Sequence, residues 1–199
     1  MLSVGLTGGI ATGKSAVSRL LQTRPNVLVV DADTVSREIC SVGSKGLTAV
    51  IARFGSDFLK DDGTLDRRRL RNLVLNDSAA RSDLESILHP RIATAISQKA
   101  ERALSDGIEL FVVEAALMIE TGSYRNYDAL IVVTCEVDIQ LKRLVNRDGV
   151  TMENAKKWIS TQLPLADKVA LADHVISNND DFQALEFAVE RLLEKLLPR

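Results

Sequence analysis

The sequence is poor in the residues that stabilise small extracellular folds. Only two cysteines, Cys40 and Cys135, occur among its 199 residues, and they form no C-x-x-C pair. A chain of this length can bury a sizeable apolar core without disulfides. We therefore interpret both cysteines as free thiols in a reducing compartment.

Long hydrophobic runs are also lacking. The longest candidate, residues 110–119, contains Glu114 and is shorter than the roughly 18–20 residues that span a bilayer. The N-terminus has no basic segment, and its apolar stretch runs directly into Gly13-Lys14-Ser15, which argues against a signal peptide. We expect a cytoplasmic protein with no membrane partner.

No excess of basic charge is present. Lysine and arginine total 25 against 27 acidic residues, a formal net charge of −2, which argues against a dedicated nucleic-acid binder. The 46% hydrophobic and 26% charged residues exclude disordered, collagen-like and disulfide-scaffold classes. The oligomeric state stays open, since no pattern marks a self-complementary surface.

Short apolar runs alternate with helical patterns along most of the chain. The predicted strands are Leu2–Leu6, Val27–Val30, Leu110–Ala115, Ala129–Val133 and His174–Ser177. The main predicted helices are Leu47–Phe54, Arg67–Leu75, Arg81–Leu104, Asp138–Arg147, Met152–Leu163 and Phe182–Leu197. This alternation predicts an α/β fold with a mainly parallel sheet covered on both faces.

One interval breaks the alternation, because residues 34–105 carry helical patterns and no convincing strand. A simple crossover between two strands needs far fewer residues. We therefore predict a core made of residues 1–33 and 106–199, with residues 34–105 as a helical insertion on the substrate side.

A phosphate-binding motif follows the first strand. The pattern G-x-x-x-x-G-K-[ST] is matched by Gly8-Gly9-Ile10-Ala11-Thr12-Gly13-Lys14-Ser15. The glycines permit close backbone approach, and successive N–H groups at a helix N-terminus bind phosphate oxygens. Lys14 would contact the β- and γ-phosphates, and the Ser15 hydroxyl would bind Mg²⁺. The motif predicts nucleotide binding.

The rest of the sequence favours a kinase over a GTPase. It contains no D-x-x-G segment and no Asn-Lys pair. Asp31 and Asp33 end the second strand, at the sheet edge where ligands collect. Either carboxylate can accept a proton from an acceptor hydroxyl or hold magnesium, and either can instead cap the next helix.

Basic residues supply candidates for binding phosphate. Arg143 and Arg147 are four residues apart on one predicted helix face, next to Lys142, although a solvated face is the alternative. Arg67, within the run Arg67–Arg69 and near Arg71, can meet an anionic acceptor. His89 precedes Pro90 at a predicted helix junction, where packing or capping is the alternative role.

Together these segments resemble the dephospho-coenzyme A kinase family. The matching residues are Val4–Ile10 with Gly13-Lys14-Ser15, Asp31-Ala32-Asp33 with Arg37-Glu38, Phe54-Gly55, Asp62–Arg67 with Leu70, His89-Pro90 with Ile92, Gln140 with Arg143 and Arg147-Asp148, Gln162, Lys168, Ala172-Asp173, and Ile176 with Asn178. Their order and spacing cover the chain to about residue 180.

The resemblance implies a P-loop kinase fold with a five-stranded parallel sheet, a helical substrate-binding segment and a mobile lid at about residues 138–163. It implies that ATP with Mg²⁺ phosphorylates the ribose 3′-hydroxyl of dephospho-coenzyme A. Asp33 becomes the expected base and a possible magnesium ligand, with Lys14 and Arg143 as further catalytic residues. Arg147 and Asn178 are expected near ATP, and Arg67, His89 and Glu114 near the acceptor.

The sequence departs from the family pattern in three segments. Glu114 replaces an aspartate, and the proline that often follows two residues later is absent. Ala11-Thr12 stands where Gly-Ser is common, and Asp180 stands where a glycine is usual. The alternatives are a P-loop kinase for another small acceptor, such as a nucleoside or nucleotide, and an ATP-sensing module without turnover.

Overall fold

The computed structural model describes residues 1–197, and these fall into two compact units. The first unit combines Met1–Val30 with Ala103–Arg199, and the second is Asp31–Arg102. The chain therefore leaves the first unit at the end of its second strand and returns to it near the end of a long helix.

A five-stranded parallel sheet forms the centre of the first unit. Its strands are β1 (Leu2–Gly8), β2 (Val27–Asp31), β3 (Leu110–Glu114), β4 (Ala129–Thr134) and β5 (His174–Ser177). The order across the sheet is β2-β3-β1-β4-β5. β1 is parallel to both of its neighbours, with Leu6 opposite Glu114 on one side and Ile131 on the other. The segment that follows β1 therefore lies at the centre of the carboxyl edge.

Nine α-helices connect or follow the strands in the described residues. They are α1 (Lys14–Gln22), α2 (Ala32–Ile39), α3 (Lys45–Phe54), α4 (Arg67–Asn76), α5 (Ser78–Ser105), α6 (Val137–Asp148), α7 (Met152–Ile159), α8 (Leu165–Ala170) and α9 (Phe182–Leu196). Single 3₁₀ turns occur at Ser56–Phe58 and Ser123–Asn126.

Each unit has its own apolar core. In the first unit, Val4, Leu6 and Ile131 of the sheet pack with side chains from α1 and α9, including Val17 and Val189. Both faces of the central strands are buried, which explains why they read as continuous apolar runs. The second unit packs around Cys40, Leu47, Val50, Leu65 and Leu70.

The predicted fold class and all five predicted strands are confirmed. The helix predicted over 152–163 is shorter and ends at Ile159, with Pro164 a few residues beyond. Both cysteines are buried free thiols. None of the helices within residues 1–197 is both long and apolar enough to cross a membrane.

The junction predicted at His89-Pro90 is wrong. Pro90 lies inside α5, which continues without interruption from Ser78 to Ser105. A proline removes one backbone donor and usually kinks or ends a helix. Here Leu84, Ile87 and Leu88, just before it, pack against the core of the second unit. This packing stabilises the helix through the proline.

Candidate active site

The loop between β1 and α1 has the backbone conformation of a phosphate-binding loop. Gly13 has a φ of 98°, in the left-handed region that glycine favours. At Gly8, a Cβ atom would lie 2.5 Å from the carbonyl oxygen of Val133. Ala11 is also left-handed, with a φ of 59°. Both glycines of the motif are therefore required by the local structure.

The loop presents backbone donors at the start of α1. The N–H groups of Gly13, Lys14 and Ser15 meet no acceptor within residues 1–197, as expected for the first turn of a helix. These donors and the positive end of the helix dipole favour an anion at this position. The Ser15 side chain is exposed in the same turn.

Lys14 contacts an acidic residue on the neighbouring strand. Its ammonium group donates to Oε1 of Glu114, the last residue of β3, and the Ser18 hydroxyl donates to Oε2. The Lys14 and Glu114 side chains are only 15% and 10% exposed. Glu114 therefore holds the positive charge of Lys14 beside the loop, where a phosphate can compete for it.

Asn178, which follows β5, joins the phosphate loop to α6. Its side-chain amide donates to the carbonyl oxygen of Thr12 at 2.8 Å. Arg143 of α6 donates to the Asn178 carbonyl oxygen at 2.9 Å and lies 3.5 Å from its Oδ1 atom. Arg143 is thus held close to the loop by a residue that also supports it.

Arg147 has a different environment. Its guanidinium makes two hydrogen bonds, of 2.9 and 2.8 Å, to the carboxylate of Asp148. The hydrogen bond from Arg147 lowers the pKa of Asp148. The Arg147 side chain is 58% exposed, so an incoming anion can compete with Asp148 for it.

Two glutamines bind the backbone of Ile10 in the phosphate loop. The Gln140 side chain donates to the Ile10 carbonyl oxygen at 2.7 Å, and the Ile10 N–H donates to Oε1 of Gln162 at 2.7 Å. Ile10 and Ala11 also pack against an apolar cluster of α6 and α7 that includes Leu144. The tip of the loop is therefore fixed by polar and apolar contacts.

The two aspartates at the start of the second unit, Asp31 and Asp33, have different hydrogen-bonding environments. Asp31 is the N-cap of α2, because Oδ1 accepts from the Asp33 N–H at 2.9 Å and Oδ2 accepts from the Thr34 hydroxyl at 2.8 Å. The Asp33 carboxylate is exposed and has no hydrogen-bond or ion-pair partner in residues 1–197. Capping therefore accounts for Asp31 and leaves Asp33 available for chemistry.

A basic cavity of about 450 Å³ lies within the second unit. Its basic lining residues are Arg37, Lys60, Arg67 and Arg68, and Asp66 is also present. Arg67 donates to the Arg37 carbonyl oxygen at 3.3 Å. Cys40 also lines the cavity, and burial raises the pKa of its thiol against the opposing effect of Arg67.

His89 lies apart from this cavity lining, on α5, with an exposed side chain. The structure thus brings Lys14, Glu114, Arg143 and Asn178 together around the phosphate loop. Arg67 lies in the basic cavity of the other unit.

The residues around the loop suit magnesium bound together with a nucleotide. The described chain has no cluster of three or more His, Cys, Asp or Glu side chains that could hold a metal alone. Mg²⁺ commonly takes one or two protein ligands and completes its shell with phosphates and water. The exposed Ser15 hydroxyl fits that arrangement.

Comparison with known proteins assigns the family. A model of the family described as dephospho-CoA kinase matches residues 2–184. Dephospho-CoA kinase from Geobacter sulfurreducens is 36% identical over 195 residues, covering 98% of each chain. The same enzyme from Corynebacterium glutamicum is 36% identical over 199 residues, covering 100% of this chain and 99% of the relative.

The chain belongs to the dephospho-CoA kinase family. A solved dephospho-CoA kinase from Campylobacter jejuni has a TM-score of 0.72 and 25% identity, and the match covers 98% of this chain and 96% of that one. The resemblance and the P-loop kinase fold predicted from sequence are confirmed. The chain is a kinase that uses ATP and a small-molecule substrate, and neither alternative function is favoured.

Two departures from the dephospho-CoA kinase pattern have visible structural consequences. Glu114 reaches both Lys14 and Ser18, using both of its carboxylate oxygens. Ala11 takes the left-handed conformation for which glycine is better suited. The third, Asp180, is exposed in the turn before α9.

Gln140 and Gln162 were matched to the family pattern from sequence without a role, and Ser18 was not singled out. Two signals were available for them. Ser18 lies four residues after Lys14, so both share one face of α1. Gln140 lies three residues before Arg143 on α6, which places both on the side that meets the loop. Gln162 offers no comparable local signal.

Proposed function

We propose that this chain transfers the γ-phosphoryl group of ATP to the ribose 3′-hydroxyl of dephospho-CoA, giving CoA and ADP, the final step of CoA biosynthesis. The observation that carries the proposal is membership of the dephospho-CoA kinase family in a chain whose phosphate loop is intact. Residue roles and magnesium are part of the proposal.

The loop and its neighbours would bind the triphosphate. The motif from Gly8 to Ser15 supplies backbone donors, and Lys14 would exchange Glu114 for the β- and γ-phosphates. Magnesium would be held by Ser15, with Asp33 as a possible second ligand, and would supply neutralisation of phosphate charge. Asn178 would lie on the adenine side.

The transfer itself is an in-line displacement. Asp33 would orient the 3′-hydroxyl and accept its proton as the new P–O bond forms and the bond to ADP breaks. Lys14 and Arg143 would stabilise charge on the transferring oxygens. Arg147, in a lid of about residues 138–163, would leave Asp148 and contact the triphosphate.

The acceptor would be bound by the insertion, residues 34–105. Dephospho-CoA carries a diphosphate, and the basic cavity around Arg67 provides several charge-assisted donors for such a group. His89 is a second proposed acceptor contact. Glu114 is a further proposed acceptor-side residue, although in the structure its oxygens are bound by Lys14 and Ser18.

The experiment is an assay of magnesium-dependent ADP release with dephospho-CoA, adenosine, AMP or no acceptor. We expect turnover with dephospho-CoA only. Turnover with a different acceptor would retain the kinase and reject this substrate. ATP binding without any acceptor-dependent release would support the sensing alternative.

Asp33→Asn tests the proposed base, and Asp31→Asn is its matched control. Loss of a general base lowers kcat by about 10²–10⁴-fold. Asparagine is a good N-cap, so Asp31→Asn should preserve both α2 and turnover. Equal loss in the two variants would contradict the assignment of Asp33.

Arg67→Ala tests the acceptor site, with Arg71→Ala on the same helix as its control. We expect KM for dephospho-CoA to rise about tenfold or more, as for loss of a hydrogen bond to a charged group, while KM for ATP changes little. A rise in KM for ATP instead would contradict this proposal, because Arg67 would then contribute to ATP binding.

A further inference from the structure

The backbone of Ile10 is bound on both sides by side chains from distant parts of the chain. Gln140 and Gln162 are separated from Ile10 by 130 and 152 residues. Because a carbonyl oxygen only accepts and an N–H only donates, the orientation of each amide is determined by its partner. Gln140 must donate and Gln162 must accept.

The buried position of Gln140 makes its hydrogen bond specific. Gln140 is only 1% exposed and lies on the face of α6 that also carries Leu141 and Leu144. Buried amides are costly unless they are hydrogen-bonded. The Ile10 carbonyl therefore sits where Gln140 requires an acceptor.

These contacts determine which loop donors remain for a ligand. Since the Ile10 N–H points to Gln162, it is not available to a phosphate. The Thr12 N–H is also occupied, by the Gly9 carbonyl oxygen at 3.3 Å. The donors of Gly13, Lys14 and Ser15 at the start of α1 meet no acceptor in residues 1–197 and remain for a ligand.

The residue that follows Ile10, Ala11, has a strained backbone conformation. Ala11 is left-handed, a conformation that is unfavourable for a residue with a Cβ atom. The Ile10 carbonyl oxygen held by Gln140 belongs to the peptide group that precedes Ala11. Packing of Ile10 and Ala11 against α6 and α7 adds an apolar restraint.

We infer that Gln140 and Gln162 are positioning residues for ATP binding, which hold the Ile10–Ala11 turn so that the donors of Gly13, Lys14 and Ser15 face the phosphates. They act through the loop backbone. The inference rests on the ATP-binding half of the proposed function and is independent of the acceptor.

Methionine substitutions test this inference, because methionine matches glutamine in length and lacks its polar atoms. Gln140→Met and Gln162→Met are compared with the parent protein and with Gln183→Met, an exposed position on α9. Calorimetric titration with ATP and Mg²⁺, without acceptor, gives Kd directly. Steady-state assays with dephospho-CoA then give KM for each substrate.

We expect each single variant to weaken ATP binding about threefold to tenfold, the loss typical of one hydrogen bond, with KM for dephospho-CoA unchanged. Gln183→Met should bind like the parent. Because both glutamines hold one turn, the double variant should weaken binding by less than the product of the single effects.

Unchanged Kd for ATP in both single variants would overturn the inference, even if their unfolding midpoints fell, since the contacts would then serve stability alone. A double variant whose effect equals the product of the single effects would also overturn it. If the parent bound ATP but did not phosphorylate dephospho-CoA, the proposed substrate would fail and the calorimetric test would still stand.

Discussion

The side-chain amide of Asn178 occupies the space that a Cβ atom on Gly13 would need. The same amide donates to the Thr12 carbonyl oxygen at 2.8 Å, so it cannot move aside without losing that bond. Gly13 is also left-handed, with a φ of 98°. Two independent constraints therefore require glycine at the last turn of the phosphate loop.

Gly13→Ala should therefore weaken ATP binding by at least about tenfold and destabilise the protein. The left-handed backbone costs about 1–2 kcal/mol for a residue with a Cβ atom, and displacement of Asn178 adds to it. Gly43→Ala is the control, because Gly43 has a φ of 80° and nothing in the described chain lies within 4 Å of its Cβ position. Calorimetry and urea unfolding check both variants. Equal destabilisation of the two would contradict the role of Asn178.

Ala11→Gly should stabilise the protein. Glycine relieves a left-handed strain of about 1–2 kcal/mol and loses part of that gain to the entropy of the unfolded chain. We expect a net increase of about 0.5–1 kcal/mol in the free energy of unfolding, measured with urea. Ala93→Gly, at an exposed position inside α5, should instead lose about 0.5–1 kcal/mol. A loss in both variants would show that the loop backbone is unstrained.

Arg143→Ala and Arg147→Ala should lower turnover more than they weaken substrate binding. Arginines that stabilise transferring phosphoryl groups contribute about 10³–10⁵ in rate. Lys142→Ala, an exposed position next to Arg143 on α6, is the control and should retain parental turnover. Steady-state kinetics separate the two parameters. A raised KM for ATP at unchanged kcat would assign these arginines to ground-state binding alone.

Glu120, which is partly exposed, and the buried Lys168 form an ion pair that should contribute to the acid sensitivity of the first unit. Lys168 is fully buried and lies 2.7 Å from Oε1 of Glu120. Burial pushes the pKa of Glu120 upward, but the hydrogen bonds from Lys168 and from the N–H groups of Glu120 and Leu163 outweigh it and lower the pKa. The stabilisation is therefore complete above the ordinary glutamate pKa of about 4.3 and is lost as the pH falls through the lower pKa of the folded state.

Glu120→Gln should lower the free energy of unfolding at pH 7 by about 1–2 kcal/mol, because it removes the counter-charge of the buried Lys168 while solvent already screens the partly exposed carboxylate. Urea unfolding at pH 7 and pH 3 should show the gap between variant and parent narrowing in acid. Glu153→Gln removes the acid of an exposed pair with Lys157 and should cost less than about 1 kcal/mol. A gap that is constant with pH would show that the Glu120 charge is not the source of the stability.

The local features of this chain were open to prediction from sequence. Val27–Val30 and Ala129–Val133 are β-branched runs, and their period and length are sufficient to identify buried strands. Gly8 to Ser15 identified the phosphate loop because its chemistry depends on consecutive residues. The helix junction predicted at Pro90 was wrong, because the local effect of proline on a helix is outweighed by packing of the residues just before it.

The sequence was sufficient to identify the phosphate loop and the five strands, because each depends on residues close together along the chain, and to identify one kinase family, because several such short motifs follow one another in order. Only the packing of strands and helices determines that Glu114 binds Lys14 and Ser18, which lie about 100 residues away along the chain. It also decided that Gln162 meets Ile10 across 152 residues. The physical reason is that such pairings depend on how strands and helices pack, and no local pattern records that.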